Sequence, residues 1–353
     1  MSDVIQGSHL NQSILKRRWE KFKTLKRGYY SLILLLCVYG ASFFLPLLIN
    51  NRALIVKYNS EYYFPVFSGY VSGKTFNQDV PGEARYRKLK QEFIKYNNGN
   101  WVLLPPYPYS PFEDITFEGN KMYEPPSRLH WMGTDNTGRD VFARLCYAFN
   151  ISISFALLLT IINYIIGILI GGAMGYFGGK FDLIFQRLVE IWSNLPMLFV
   201  IIILSSIIKP SFYLLIGIYT LVNWISMTYL MRAEFYREKS KAYVAAALSM
   251  GQSEFKVMFK HILPNSLVPI ITYFPFAVVA GISALVGLDF LGFGLAPPTP
   301  SWGQMLDVGL QNIRKWWMVF APVSAQFLTL LCIVFIGEGV REAFDPKVYS
   351  RLR

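Results

Sequence analysis

Six long apolar runs divide the chain, and shorter polar segments separate them. Each run has about twenty residues or more, which is the helical length that crosses a hydrocarbon core of about 30 Å. The alternative, a soluble protein with buried helices, is disfavoured by six runs of this length. The pattern therefore predicts an all-α polytopic membrane protein with six transmembrane helices, at residues 31–50, 151–177, 189–208, 212–231, 267–288 and 320–340.

The long segment 51–150 between the first two runs predicts a small mixed insertion. Val, Ile, Tyr and Phe are frequent at 54–58 and 62–67, as they are in strands. Residues 83–96 are charged and free of helix breakers, which predicts a helix. Residues 104–126 are rich in Pro and Tyr and predict an irregular, extended segment. A connection of this length is expected to be functional.

The distribution of charge predicts the orientation in the membrane. The chain has 353 residues, of which 53% are hydrophobic and only 16% charged, and its net charge is +12. Outside the insertion, the basic residues cluster in an arm at 1–30, in a loop at 232–266 within the compact core 151–340, and in a tail at 341–353. Because Lys and Arg are enriched in cytoplasmic loops, both termini and this loop are expected in the cytoplasm and the insertion outside. The placement also favours membrane lipid over nucleic acid as the partner of the positive charge.

The first run is predicted to be an uncleaved membrane anchor. About thirty mostly polar residues precede it, and both this arm and the apolar run are longer than in a cleavable signal peptide. No pair of cysteines falls in the insertion, so no structural disulfide is expected there.

Motifs of enzymatic chemistry are missing from the sequence. It contains no metalloprotease or nucleophile-elbow motif, and its three histidines are far apart, so we predict no catalysis, no metal and no cofactor. Residues 69–75, GYVSGKT, resemble a phosphate-binding loop, but Ser68 stands where that pattern requires Gly and the residues that follow disfavour a helix. Arg139 and Asp140 are interpreted as a loop ion pair.

The loop 242–265 reads AYVAAALSMGQSEFKVMFKHILPN and carries the most informative pattern. The three alanines at 245–247 favour a helix, and Gly251 can end it. A second helix is expected at 254–262, with Pro264 near the first turn of the fifth span. A helix of small residues in a basic loop suits insertion into a cleft of another protein. An amphipathic helix lying on the membrane is the alternative.

Four segments resemble motifs of binding-protein-dependent ABC import permeases. The loop is similar to their EAA loop, in the form His-x-Leu-Pro-Asn that is common in peptide permeases, and the matching residues are His261, Leu263, Pro264 and Asn265. Residues 133–144 (GTDNTGRDVFAR), 288–295 (LDFLGFGL) and 337–346 (GEGVREAFDP) are similar to three further motifs of the family. In the first of these, the matching residues include Gly133, Thr134, Asp135, Gly138, Arg139 and Asp140.

The resemblance implies a type I permease subunit in a bacterial inner membrane. Its partners would be a second homologous permease, ABC ATPase subunits and a periplasmic substrate-binding protein. The residues implied to couple the chain to the ATPase are Ala245, Ala246, Ala247, Gly251, His261 and Pro264. The chain departs from the family's pattern at one of these positions, because Ala245 stands where Glu is usual.

The insertion narrows the implied substrate. Residues 52–67 and 100–108 resemble the extended loop of YejE-type permeases, a group implicated in the uptake of peptides and microcin C. Dipeptide, oligopeptide and nickel-chelate permeases share the core motifs and are the alternatives within the family. A membrane receptor or scaffold that transports nothing is the alternative from another class.

Polar and small residues within the spans have two interpretations each. Three glycines at every fourth position allow another helix to approach closely, either in this chain or in a partner subunit; these are Gly167, Gly171 and Gly175. Polar side chains could line a translocation path or make hydrogen bonds between helices, and the second interpretation is favoured for each residue singly. The candidates are Glu190, Asn194, Asn223 and Asp289, together with Asn163 and Ser226.

Overall fold

The computed structural model describes residues 14–96, 99–113 and 121–345. Most of these residues are helical. The longer helices are α1 (Ile14–Thr24), α2 (Lys26–Ser42), α3 (Tyr86–Tyr96), α4 (Val141–Phe177), α5 (Gly179–Ser193), α6 (Met197–Ile207), α7 (Phe212–Lys239), α8 (Ala242–Ser249), α9 (Glu254–Phe290), α10 (Trp302–Gln311) and α11 (Trp316–Phe344). The strands are β1 (Ile55–Tyr58), β2 (Glu61–Tyr63) and β3 (Trp101–Leu103).

The described helices confirm a polytopic, mainly helical chain. Four of them, α4, α7, α9 and α11, are long and apolar enough to cross a membrane, and the bent pair α5 and α6 passes the same test when taken together. The first apolar run forms α2, which has 17 residues, and a separate helical turn at Leu45–Leu48. The described residues therefore hold four or five candidate spans, and the count of six stays a prediction.

The run at 189–208, predicted to be one span, does not form one straight helix. The chain bends by 68° between α5 and α6. Pro196 lacks an N–H and restricts the residue before it, which favours a break in the helix at this position. The side chains of Ser193 and Asn194 donate hydrogen bonds to the Glu190 carbonyl, at 2.9 and 2.7 Å, and thereby complete the end of α5.

The chain divides into two compact units. The bundle unit comprises residues 1–35, 154–284 and 329–353, and the insertion unit comprises 36–153 and 285–328. In the bundle unit, the three glycines of α4 lie against α7 of the same chain. A Cβ at Gly167 would come within 2.6 Å of the Met227 Cβ, and one at Gly171 would overlap the Thr228 carbonyl oxygen. Gly175 faces Arg232 and Phe235 in the same way.

Helix α1 packs against the last helix within the bundle unit. The Lys21 ammonium donates a 2.8 Å hydrogen bond to the carbonyl of Glu342, in the final turn of α11. Phe22 is buried, and its ring lies close to Gly28 and Gly339, where a Cβ would meet it. The basic arm therefore includes a helix that is docked by both polar and apolar contacts.

The insertion unit contains an antiparallel sheet in the order β2–β1–β3. Strand β1 confirms the prediction at 54–58, whereas the one at 62–67 is correct only as far as Tyr63. Pro65 then begins a helical turn, Pro65–Ser68, because its fixed φ suits the start of a helix. Strand β3 lies where no strand is predicted. Helix α3 begins three residues later than the predicted helix.

One face of the sheet covers the core of the insertion unit. Val56 and Val102 are paired across the strands and pack with Phe76 and Leu89. Helix α3 thus lies over the sheet through Leu89. The described parts of 104–126 contain no helix or strand, as predicted, and 114–120 lie outside the described residues.

The segment that resembles a phosphate-binding loop has a different structure. Gly73–Phe76 forms one turn of 3₁₀ helix, which ends at Asn77 in the left-handed conformation with φ 57°. A phosphate-binding loop needs a helix whose N-terminal N–H groups point at the phosphate, and no such helix follows here.

Candidate functional site

Helix α8 connects two candidate spans, α7 and α9, and has distinct inner and outer sides. Val244 and Ala247 are buried and pack with Met258 and Ile262 in one apolar cluster. The helix ends at Gly251, whose φ of +75° is a conformation that other residues adopt with strain. The Gly251 and Gln252 N–H groups cap α8 by donating to the carbonyls of Leu248 and Ala247.

The outer side of α8 and the start of α9 form an exposed apolar surface, which we call the docking patch. Its members are Ala245, Ala246, Leu248, Met250, Phe255 and Phe259. Met250 and Phe255 are the most exposed of its large side chains, at 73% and 68%. Exposed charged side chains lie beside these residues in the sequence, and three of the four are basic, namely Lys241, Glu254, Lys256 and Lys260. An exposed apolar patch next to charged residues is typical of a surface that contacts a protein or a membrane.

The predicted separate helix at 254–262 is instead the beginning of α9. The chain continues from Glu254 to Phe290 as one helix, with a wider π turn at Val257–Ile262. Pro264 follows this turn, in the first turn of the regular α-helix. A wider turn before Pro264 accommodates its missing N–H, which explains why the helix does not break there. His261 hydrogen-bonds Gln252 between Nε2 and Oε1 at 2.7 Å and so ties α9 to the end of α8.

Glu238 is a residue of this site that the sequence analysis missed. It lies at the end of α7, is 2% exposed, and accepts hydrogen bonds from Lys241 Nζ at 2.6 Å and from the Tyr243 hydroxyl at 2.9 Å. The Asn265 amide donates to the same hydroxyl at 3.4 Å. The only signal in the sequence is a Glu with a Lys three residues later, a spacing too common to single it out.

The motif at 133–144 folds into a buried turn ahead of α4. Asp135 accepts from the N–H groups of Thr137 and Arg139, at 2.8 and 3.0 Å, and from the Arg139 guanidinium at 2.9 Å. Gly133 and Gly138 have φ of +71° and +80°, which glycine adopts readily. Thr134 links the turn to Lys121 and Glu124.

Arg139 and Asp140 are not paired with each other, contrary to the prediction. Arg139 bonds Asp135, whereas Asp140 accepts from the Tyr107 hydroxyl at 2.6 Å and lies 2.8 Å from His130 Nδ1. Asp140 also caps α4 by accepting from the Ala143 N–H at 2.7 Å. Burial raises the pKa of the Tyr107 hydroxyl, which therefore stays a donor. These contacts make the turn a structural support for the start of α4.

Asp289 holds the turn that follows α9. It is 3% exposed, and its carboxylate accepts from the Leu295 N–H at 2.6 Å and from the Ser301 hydroxyl at 2.5 Å. A Cβ at Gly294 would collide with this carboxylate, so the turn can close only around glycine. The structure thus surrounds Asp289 with turn contacts.

A cavity of about 580 Å³ lies in the bundle unit between α4, α7 and α9. Asn163, Asn223 and Ser226 line it together with apolar and aromatic residues such as Tyr273. Asn223, Ser226 and Tyr273 are exposed, whereas Asn163 is 6% exposed and its Oδ1 atom has no hydrogen-bond partner among the described residues. The candidates Glu190 and Asn194 do not line this cavity, because they bond locally at the end of α5.

Comparisons with known proteins agree with this architecture. Residues 167–350 match the family of the binding-protein-dependent transport system inner membrane component. The chain is 40% identical to the inner membrane ABC transporter permease protein YejE of Escherichia coli K12, with 94% of this chain and 96% of that protein aligned. It is 35% identical to the peptidoglycan transport system permease protein YejE of Agrobacterium fabrum, over 94% and 93% of the two chains.

A relative that is named for dipeptide transport aligns over a shorter region. The dipeptide transport system permease protein DppC of Bacillus subtilis is 37% identical, over 64% of this chain and 71% of its own. The family match covers more than half of the 353 residues, and the YejE matches cover nearly all of them. The resemblance inferred from the motifs is thereby confirmed, and the chain belongs to the binding-protein-dependent transport system inner membrane component family, the permease subunits of ABC transporters.

Proposed function

We propose that this chain is one of two permease subunits in an ATP-driven importer of peptides or peptide-like compounds. ATP would be hydrolysed by partner subunits, and a separate binding protein would deliver the substrate. The observation that carries the proposal is the docking patch, because it presents exposed apolar side chains next to mainly basic ones between two candidate spans. Such a patch suits an apolar cleft with acidic surroundings on the ATPase.

Six spans fit this function. Helix α2 with the helical turn after it would be the first, and the bent pair α5 and α6 would be the third. Both termini and α8 would then face the cytoplasm, and the sheet of the insertion unit would lie outside. The basic loop and arm support this orientation.

Half of the translocation path would be the cavity that contains Asn163 and Asn223, and the second permease would supply the other half. The exposed polar side chains at this cavity can hydrogen-bond peptide amides. Asn163 lies beside these side chains, but its Oδ1 atom is buried, so Asn223 and Ser226 are the proposed contacts of the substrate.

The peptide class rests on the relatives. Those that align over nearly the whole chain are named as YejE permeases, one of them for peptidoglycan transport, and others are named for dipeptides and oligopeptides. Microcin C falls within the same proposal, because it is a peptide-like compound.

The insertion unit would contact the substrate-binding protein. The sheet face opposite its core carries Tyr62 and Trp101, which are 58% and 42% exposed and whose ring centroids lie 6.4 Å apart. Exposed aromatic pairs of this kind are typical anchors of protein interfaces. Deleting the insertion as a whole would also remove Tyr107, which supports Asp140, so point substitutions test this role more cleanly.

Substitution Met250→Asp tests the coupling role. A carboxylate in an apolar cleft is costly, so we expect the variant to lose most ATPase co-purification and the import of tri-alanine. Met122→Asp is the matched control, since Met122 is 53% exposed in the insertion unit. Normal ATPase assembly and import by the Met250→Asp complex would refute the coupling role.

A further inference from the structure

Three elements meet at one hydroxyl group, that of Tyr243. Helix α7 contributes Glu238, helix α8 contributes Tyr243 and helix α9 contributes Asn265. The hydroxyl donates to the Glu238 carboxylate at 2.9 Å and accepts from the Asn265 amide at 3.4 Å. We call this chain of two hydrogen bonds the Tyr243 relay.

The anchor of the relay is buried and well bonded. Glu238 is 2% exposed, and Lys241 and Tyr243 both donate to it, while Arg237 lies 3.7 Å away. A buried carboxylate that loses a donor carries a desolvation cost, so the hydrogen bond from Tyr243 is hard to break. Burial and this hydrogen bond also raise the pKa of Tyr243, which keeps the proton on the donor.

Apolar contacts hold α8 through few large side chains. Its inner side offers the small Val244 and Ala247 to the cluster beneath it, together with the ring of Tyr243, which Tyr243→Phe would keep. The chain then leaves α8 through Gly251, and in this turn His261 and Gln252 provide the second polar link. Directional hydrogen bonds fix how α8 is rotated and shifted relative to α7 and α9, and small apolar side chains specify this position poorly.

We propose that the Tyr243 relay makes α8 move as one body with the ends of α7 and α9. This inference rests on the proposed coupling function of the docking patch. Tyr243, Glu238 and Asn265 are positioning residues, because the ATPase would touch the patch and not the relay. A displacement of α8 by the partner then reaches two spans together. Without the relay, α8 would move with the ATPase, and α7 and α9 would move less than α8.

The test compares single substitutions in the full transporter, reconstituted in proteoliposomes with its binding protein and tri-alanine. Tyr243→Phe removes only the hydroxyl group. We expect normal assembly and ATP hydrolysis, but about tenfold fewer peptides imported per ATP, which is the lower end of what the loss of a hydrogen bond to a charged group predicts. Tyr236→Phe is the control, because Tyr236 is 72% exposed near the end of α7.

A second pair of variants separates the effect of the hydrogen bond to Glu238 from the effect of its negative charge. Glu238→Gln keeps an oxygen that accepts from Tyr243, and we expect it to retain most of the coupling. Glu238→Leu removes the acceptor and should resemble Tyr243→Phe. Unchanged import per ATP in Tyr243→Phe overturns the relay, and so does a loss of import and hydrolysis in equal proportion. Failure of the proposed function would appear elsewhere, as normal assembly of the Met250→Asp complex.

Discussion

Gly171 shows how one residue sets the distance between two helices of the bundle unit. Its missing side chain lets α4 approach the backbone of α7 at Thr228. Without a hydrophobic force between helices in lipid, such close packing supplies much of the attraction. Glycines at every fourth residue predict a close contact with another helix. No sequence pattern says whether that helix belongs to the same chain.

Substitution Gly171→Ala tests the contact. The new methyl group overlaps backbone atoms that cannot rotate away, so we expect the free energy of unfolding in detergent to fall by about 1–3 kcal/mol. Gly217→Ala is the matched control in α7, where a Cβ meets nothing within 4 Å. The control should be neutral or more stable by up to about 1 kcal/mol, since Ala favours helix. Equal stabilities of the two variants would contradict this account.

Residue pairing was the least predictable part of the site. Asp140 and Arg139 are neighbours in sequence, yet their partners are His130, Tyr107 and Asp135. Two adjacent side chains in a turn point in different directions, so adjacency does not imply an ion pair. Glu238 could not be predicted for a related reason. Only the fold brings the Tyr243 hydroxyl to Glu238 and the Asn265 amide to that hydroxyl.

At the scale of elements, local chemistry predicted most helices and failed at prolines. Apolar length predicts α4, α7 and α11, and alanine content together with Gly251 predicts α8. Pro196 breaks a helix that the apolar run alone makes continuous, whereas Pro264 sits within α9 behind a π turn. The backbone hydrogen bonds around each proline decide the outcome, and they depend on tertiary packing.

Tyr62 and Trp101 test the role of the insertion sheet. We expect the double substitution Tyr62→Ser with Trp101→Ser to weaken binding of the substrate-binding protein at least about tenfold, because exposed aromatic anchors carry much of an interface. Affinity can be measured by surface plasmon resonance on the complex in nanodiscs. ATPase co-purification should be unchanged. Tyr236→Ser is the control, and an affinity equal to that of the wild type would exclude this face as the contact.

For the molecule as a whole, the distribution of charge predicts which surfaces face the cytoplasm. The amphipathic character of single helices says less about which surfaces face the cytoplasm. A span is apolar all round, and α8 exposes apolar residues to its surroundings. The length of the apolar runs and the distribution of charge therefore predicted a polytopic membrane protein. The residues that form the site could be identified only in the folded chain. Exposed apolar residues at 245–259 become a docking patch only once Val244 and Ala247 are seen to face inward.

Cysteine labelling tests the orientation. In a chain whose three cysteines are replaced by Ser, Tyr96→Cys in the insertion should react with an impermeant maleimide on intact spheroplasts. Met250→Cys, in the chain expressed without its ATPase, should react only after permeabilisation. Both side chains are well exposed, at 66% and 73%, so access to the reagent and not burial decides the result. The reverse pattern would invert the orientation.

Helix α1 has a consequence for the order in which the molecule is completed. Its Lys21 side chain caps a carbonyl that lies 321 positions later in the chain, and the ring of Phe22 rests at Gly339. These partners are synthesised long after α1. Helix α1 therefore cannot make the two contacts until α11 has been synthesised and inserted. A chain truncated before α11 would leave Lys21 and Phe22 without these partners.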